Sequence, residues 1–350
     1  MHLEKVSNLV GGEYLAKPVI YGLNQVLIYE GTILRKEYIE RLINLGIDEV
    51  YIIDDLSIQD ESEIINDEVK KDCTIKVKKL LDSHIYKDND KLSEIKETTT
   101  RIINEILEKK EVVEKIYDIR ERSADLCDHC INVSTLSILT AVKMNLPENL
   151  IYDIGVGSIL HDLGLKYISV PYNNISLDEL TPERAFEYKK HTVYGFSSVE
   201  KESWMTSTAK KILLFHHERI NGSGFPLKLR TIAIENRIVA VCDAFDELIC
   251  GIGCKQVKVQ EAIEYIRVNK ETKFDSKVVD IFLDFVATYP IGTHVLTNEG
   301  DTAIVIEQNE HFSDRPKIRL IKNKDNQIYN DNKTIDLLEV HHVFIEKVLD

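Results

Sequence analysis

Two short stretches of the sequence place metal-binding side chains side by side. His161 and Asp162 are neighbours in the segment LHDLG, and His216 and His217 precede Glu218 in the segment HHERINGSGFP. Adjacent imidazoles and carboxylates near the ends of apolar segments are unusual for packing, because ionisable groups are costly to bury alone. They are side chains that bind divalent cations. The two stretches therefore predict a metal site.

Further candidates lie on other predicted helices. Asp125 and His129 are four residues apart, and Asp243 and Asp246 are three apart, so each pair lies on one helical face. His191 follows the segment EYKK. Each residue alone also has a purely structural interpretation, but a helical bundle could bring all of them into one core. The predicted ligands are Asp125, His129, His161, Asp162, His191, His216, His217, Asp243 and Asp246.

The predicted ligands exceed the needs of one ion, so we expect two divalent ions, with a third left open. Imidazoles and carboxylates without a required thiolate favour iron or manganese over zinc. A carboxylate shared between two ions, for which we predict Asp162, would hold them roughly 3.5 to 4 Å apart.

A competing metal motif is the C-x-x-C formed by Cys127 and Cys130. No second C-x-x-C or H-x-x-x-H follows at zinc-finger distance. We therefore expect these cysteines to pack as small apolar side chains.

The bulk composition is that of a globular protein, with 43% hydrophobic and 29% charged residues among 350. The formal net charge of −15 argues against a nucleic-acid polymer as partner. Six cysteines fit a reducing compartment. No run approaches the roughly 18 to 20 apolar residues of a membrane span, and no secretory signal is evident. We expect a cytoplasmic protein without a membrane partner.

The elements that must position the candidate ligands form the middle of three predicted modules. Residues 1–68 alternate like strands around one helical segment, which predicts a small α/β module. Residues 69–285 carry apolar side chains three and four apart, which predicts a helical domain. Residues 286–350 are β-rich, with a turn signal at 298–301. The predicted fold class is mainly α, a helical bundle with two small flanking modules.

The ordered series of motifs resembles the HD-GYP family, a branch of the HD-domain metal-dependent phosphohydrolases. The resemblance covers about residues 95–285 and includes the HD doublet, the HHE segment, the NGSGFP turn and FDSKVVDIF. It implies an HD-type bundle and hydrolysis of cyclic di-GMP to pGpG, GMP or both. It also implies that the GSGFP loop, including Gly222, Gly224, Phe225 and Pro226, contributes to ligand recognition and contacts a signalling partner.

The sequence departs from the family pattern at positions expected to contact the substrate. The family motif HDxGK has a lysine where this chain has Leu165, and Lys166 comes next. Because Gly164 ends the predicted helix, the following loop could redirect Lys166. We predict that Asp162 and Lys166 are catalytic and that Lys166 also binds the substrate. Phe225 replaces the tyrosine of GYP. Arg219, directly after the HHE segment, is the best-placed remaining cation, although a surface arginine is an equal alternative.

These departures leave three functions open. The predicted ligand set favours an active cyclic di-GMP phosphodiesterase. The altered lysine favours a sensor that binds cyclic di-GMP, or a partner protein, without turnover. A third alternative is a hydrolase of another nucleotide phosphoester, because HD-domain metal sites serve several substrates. A homodimer is also left open.

Overall fold

The structure is a computed structural model, and its contacts divide the chain into two compact units. It describes residues 2–15, 19–21, 25–28, 32–53, 64–65, 67–82, 89–108, 117, 119, 124–325, 327–329 and 333–349. One unit comprises Met1–Ser62, Pro290–Asn309 and Arg315–Asp350, and the other comprises Glu63–Tyr289 and Glu310–Asp314. The division into three modules with boundaries at 68 and 285 stays a prediction.

The N-terminal part of the first unit is a small α/β structure, as predicted. Its elements are β1 (His2–Lys5), β2 (Tyr14–Leu15), β3 (Val19–Tyr21), β4 (Gln25–Ile28), α1 (Lys36–Asn44) and β5 (Glu49–Ile53). One antiparallel sheet has the order β1-β5-β2, and β3 pairs with β4. Gly46 follows α1 with a φ of +70°, which suits glycine after a helix end. The sequence also indicates turns at Gly22-Leu23-Asn24 and at Gly31, and these positions lie outside the described residues.

The C-terminal part of the chain forms a five-stranded sheet, which confirms the predicted β-rich character. Its strands are β6 (His294–Thr297), β7 (Thr302–Asn309), β8 (Phe312–Lys322), β9 (Thr334–Asp336) and β10 (Ile345–Val348). They lie in the order β10-β6-β7-β8-β9. Gly300, with a φ of +87°, lies in the predicted turn between β6 and β7.

The second unit is helical, as predicted. Its helices are α2 (Asp67–Asp82), α3 (Asn89–Glu108), α4 (Leu126–Lys143), α5 (Glu148–Ile159), α6 (Pro182–Lys189), α7 (His191–Val199), α8 (Ser207–Phe215), α9 (Ile234–Cys250), α10 (Val259–Val268) and α11 (Ser276–Phe285). The apolar segment 131–141 of α4 is buried on nearly all sides. Within the described residues, no helix combines the length and apolar character that a membrane crossing requires.

Two glycines of α5 allow it to pack unusually close to its neighbours. A Cβ atom at Gly157 would lie 2.6 Å from Cδ1 of Ile212 in α8, and one at Gly155 would lie 2.7 Å from Cγ2 of Thr99 in α3. Both distances are shorter than normal van der Waals contact. The close approach of α5 and α8 matters because candidate ligands directly follow the end of each helix.

Candidate metal centre

The predicted histidines come from the ends or first turns of several helices and meet in the core of the second unit. His129 lies in the first turn of α4, His191 begins α7, and Asp243 lies in the middle of α9. The His161–Asp162 pair follows α5, and the His216–His217 pair follows α8. All of these residues are at least 95% buried.

The ligand atoms form two main groups. Group A is Asp162, His191, His216 and His217, and group B is His129, His161 and Asp243. Within each group, one potential ligand atom per residue lies within 4.8 Å of all the others. Each group therefore has the size and the chemistry of a site for one cation.

Asp162 faces both groups, with one carboxylate oxygen toward each. Its Oδ1 lies 3.3 Å from Nε2 of His191 and 3.6 Å from Nε2 of His216, both in group A. Its Oδ2 lies 3.5 Å from Nε2 of His129 and also 3.5 Å from Nε2 of His161, both in group B. This is the arrangement of a carboxylate that two neighbouring cations can share.

Hydrogen bonds fix how several imidazoles point. Nδ1 of His161 donates to the carbonyl of Ser158 at 2.6 Å, and Nδ1 of His191 donates to the carbonyl of Tyr188 at 2.7 Å. Nδ1 of His216 donates to the carbonyl of Leu213 at 3.1 Å. A neutral imidazole that donates through Nδ1 keeps a lone pair on Nε2. In their neutral forms, these three imidazoles therefore offer Nε2 as a metal ligand.

His129 is oriented by a carboxylate instead of a carbonyl. Its Nδ1 donates to Oδ2 of Asp246 at 2.7 Å, which directs Nε2 into group B. A carboxylate behind a ligating histidine is a common way to fix its tautomer and raise its basicity. Asp246 therefore acts on group B through His129, and it also forms a possible ligand group with His129 and Cys250.

The contacts among the inward-facing atoms favour a cation at this position. Nε2 of His129 lies 3.1 Å from Nε2 of His161, and Nε2 of His191 lies 3.2 Å from Nε2 of His216. Among the described residues, Oδ1 of Asp162, both oxygens of Asp243 and Nε2 of His217 are buried without a hydrogen-bond partner. Each unsatisfied buried polar atom costs about 1–3 kcal/mol. Divalent cations would satisfy these atoms together, so the residues fit a metal centre.

Comparison with known proteins agrees with this geometry. The profile of the HD domain matches residues 124–278, and that of a KOW domain associated with the HD domain matches residues 294–350. The chain contains an HD domain. The solved structure of Bd1817, an HDGYP protein from Bdellovibrio bacteriovorus, covers 80% of this chain and 97% of its own at a TM-score of 0.54. With 21% identity, that likeness shows a shared fold.

Two curated relatives share sequence with this chain. The cyclic di-GMP phosphodiesterase PA4108 of Pseudomonas aeruginosa is 28% identical over 213 residues, which are 60% of this chain and 51% of PA4108. A cyclic di-GMP phosphodiesterase of Thermotoga maritima is 34% identical over 180 residues, which are 49% of this chain and 48% of the relative. The chain therefore spans about half the length of these curated relatives. The relationship to HD-GYP proteins agrees with the ordered motifs.

Gly164, in the HD motif, allows the backbone after the His161–Asp162 pair to pack against the backbone at His191. A Cβ atom at Gly164 would overlap the carbonyl of His191 and lie 2.7 Å from the backbone nitrogen of Gly195. The short 3-10 helix at Leu163–Tyr167 therefore packs directly against the backbone of α7. This close approach places His191 beside the His161–Asp162 pair.

Opposing effects set the charge of the buried groups in the HD domain. Burial lowers the pKa of His161, but Asp162 and Asp243 outweigh it and raise that pKa to about 10. Burial lowers the pKa of His191 to about 4 despite the neighbouring Asp162. Burial would raise the pKa of Asp162, but His161 and other imidazoles hold it well below its usual value. Asp162 is therefore a carboxylate, the form that binds cations.

Two further potential ligands in α9 were missed from the sequence. Glu247 forms a third group with His217 and Asp243, and Cys250 joins His129 and Asp246. Burial and the nearby Asp243 carboxylate raise the pKa of Glu247 well above its usual value. The signal was present, because Glu247 follows Asp243 by four residues and Cys250 follows Asp246 by four.

Asp125 does not join the cluster, contrary to the sequence-based prediction. It is exposed and precedes α4, where its Oδ1 accepts hydrogen bonds from the backbone nitrogens of Cys127 and Asp128 at 2.9 and 3.0 Å. This is the geometry of a helix N-cap. The predicted face shared by Asp125 and His129 is absent because the helix begins after Asp125.

The two predicted substrate cations point to backbone groups. The ammonium of Lys166 donates to the carbonyl of Leu80 in α2 at 3.4 Å. The guanidinium of Arg219 donates to the carbonyls of His216 and Glu218 at 2.9 and 3.0 Å, and it lies 5.2 Å from the ring centroid of Phe274. Leu165, at the position of the family lysine, is buried in an apolar cluster with Tyr188, Cys250 and Ile252.

The GSGFP loop packs directly on the metal centre. Gly222 has a φ of +78°, and a Cβ atom at Gly224 would lie 2.5 Å from the backbone nitrogen of Arg219. The ring of Phe225, which precedes Pro226, stacks on the His217 ring at 4.5 Å between centroids and an angle of 28°. The buried carboxylate of Glu218 accepts hydrogen bonds from the backbone nitrogens of Leu227 and Leu229 at 2.7 and 2.8 Å. Glu218 thus fixes the loop, a role that its sequence position alone did not reveal.

Proposed function

We propose that this protein is a metal-dependent phosphodiesterase that hydrolyses cyclic di-GMP to pGpG, GMP or both. The observation that carries the proposal is the position of Asp162, whose two oxygens each face a different group of imidazoles. A carboxylate between two sets of nitrogen ligands suits a pair of cations that act on one phosphodiester. The curated relatives named as cyclic di-GMP phosphodiesterases support the choice of substrate.

Groups A and B would hold two divalent cations, with Asp162 shared between them. Imidazole and carboxylate ligands suit iron or manganese. When bound, such ions polarise a phosphodiester and lower the pKa of water, so that hydroxide forms near neutral pH. A third ion, held by His217, Asp243 and Glu247, is a further proposal.

The protein contributes rigid positioning. Carbonyl hydrogen bonds hold the rings of His161, His191 and His216, and Asp246 holds His129, so the ligand geometry exists before the substrate arrives. Such preorganisation reduces the reorganisation needed in the transition state. The predicted contact of Lys166 with the substrate would require its ammonium to leave the Leu80 carbonyl.

A direct test uses protein prepared and loaded with iron or manganese without oxygen. Metal analysis should give at least two ions per chain, and incubation with cyclic di-GMP should yield pGpG or GMP by chromatography. A chelator should stop the reaction, and restoring the metal should restart it. A chain without any bound transition metal would refute the proposal.

A second candidate is a cyclic di-GMP sensor without turnover. The observation that favours it is Leu165, which places an apolar side chain in a buried cluster where the family motif has lysine. The same metal-loaded sample decides between the candidates, because tight binding without product over hours would support the sensor. Contact of the GSGFP loop with a signalling partner and formation of a homodimer stay predictions.

A further inference from the structure

The metal centre reaches solvent on one side only, as judged from its own side chains. Those of His129, His161, His191, His216 and Asp246 have no exposed surface, and those of Asp162 and Asp243 have 2% and 1%. His217 is 5% exposed and Glu247 is 14% exposed. A substrate that reaches the cations must therefore approach along the edge formed by His217 and Glu247.

The ammonium group of Lys189 lies near this edge. The Phe225 ring stacks on His217, and the ammonium of Lys189 lies 5.6 Å from the centroid of the Phe225 ring. Nζ of Lys189 is therefore within about 10 Å of the His217 ring. Lys189 ends α6, and the preceding residue, Tyr188, supplies the carbonyl that orients His191. Lys189 therefore lies in the same backbone turn as His191, a predicted ligand.

Four other cations of the second unit already have partners. Lys190 forms an ion pair with Glu187 at 2.7 Å, and Lys255 forms an ion pair with Glu179. Lys166 and Arg219 donate to backbone carbonyls. Lys189 is exposed and forms no ion pair with any carboxylate in the described part of the chain.

We propose that Lys189 binds a phosphate of the substrate and so takes the place of the lysine that Leu165 replaces. The inference rests on the proposed function, because it assumes an anionic substrate at the metal centre. A cyclic dinucleotide carries negative phosphates and must pass the Glu247 carboxyl group at the open edge. The Lys189 ammonium, which lies over the Phe225 ring, supplies a positive charge that attracts the anionic phosphates to this edge.

The test compares Lys189→Ala with the matched variant Lys190→Ala, which removes a charge from the adjacent position. Because a hydrogen bond to a charged group contributes about 1.5–3 kcal/mol, the KM for cyclic di-GMP should rise about ten- to a hundred-fold in Lys189→Ala. The kcat should change much less, since a ground-state contact is lost. Lys190→Ala should keep the wild-type KM, and Lys189→Arg should recover most of the affinity. Metal content should be equal in all variants.

The possible failures are distinguishable. If the metal-loaded wild-type protein neither binds nor hydrolyses cyclic di-GMP, the proposed function is wrong, and the role of Lys189 is wrong with it. If the wild type is active and Lys189→Ala has the same KM as Lys190→Ala, only the role of Lys189 is refuted. A rise of KM in Lys166→Ala together with no change in Lys189→Ala would instead assign the phosphate contact to Lys166.

Discussion

The two ends of the metal centre differ in what surrounds them. At the sealed end, His129 and Asp246 are fully buried. Sγ of Cys250 lies 3.9 Å from Nδ1 of His129, and Cys250 belongs to the apolar cluster that contains Leu165. At the open end, His217 is covered by Phe225 and adjoins the partly exposed Glu247. The replacement of the family lysine by Leu165 thus lies at the sealed end. From this difference we expect that packing fixes the ligands at the sealed end and that the proposed substrate approaches the open end.

The largest effect should come from the residue that joins the two ends. Asp162→Ala removes one oxygen from group A and the oxygen that faces group B, so we expect loss of at least one ion and a fall in turnover of about a thousandfold or more. Metal analysis and product formation from cyclic di-GMP measure both effects. Asp153→Asn is a matched control, because Asp153 is another buried acid, in the middle of α5, that lies outside both groups. Equal metal content in Asp162→Ala and the wild type would contradict the shared-carboxylate arrangement.

The sealed end can be tested by restoring the family residue. Leu165→Lys places an ammonium in a site that is 1% exposed, so we expect a loss of stability of about 3 kcal/mol and no gain in activity. Leu165→Met, which keeps an apolar side chain, should cost less than about 1.5 kcal/mol. Denaturant unfolding and steady-state kinetics are the measurements. Improved turnover in a stable Leu165→Lys protein would show that substrate reaches this end after all.

A smaller effect should follow from Asp246→Asn, which alters the hydrogen bond behind His129. The amide can no longer supply a negative charge to the Nδ1 donor, so affinity for the ion in group B should fall about ten- to a hundred-fold. Metal titration followed by activity measurement checks this, and excess metal should restore much of the turnover. If excess metal restores nothing, Asp246 acts as a ligand rather than through His129.

The centre of the site was predictable because residue type and helical spacing carry most of its information. Imidazoles and carboxylates at the ends of apolar helices indicated the cluster, and helical periodicity indicated the bundle. The direction of Lys166 was not predictable, since it depends on the short 3-10 helix at Leu163–Tyr167, whose packing against α7 is a tertiary contact. The close approach of α5 to α8 at Gly157 could not be predicted either, because a glycine in a sequence is equally compatible with a turn, a helix end or a close contact. Glu247 was overlooked although its spacing from Asp243 marked it.

Asp125 shows how one residue type supports two interpretations, and it provides the smallest predicted effect. An aspartate that caps a helix and an aspartate that binds a metal have the same sequence signal when the helix start is unknown. If Asp125 acts as an N-cap, Asp125→Ala should lower the free energy of unfolding by about 1 kcal/mol and leave the metal content unchanged. Asp125→Ser separates the two roles, because serine keeps a capping oxygen and lacks the carboxylate. Restored stability with full metal content in Asp125→Ser supports the cap, whereas metal loss in both variants would place Asp125 among the ligands and extend the metal centre to the exposed start of α4.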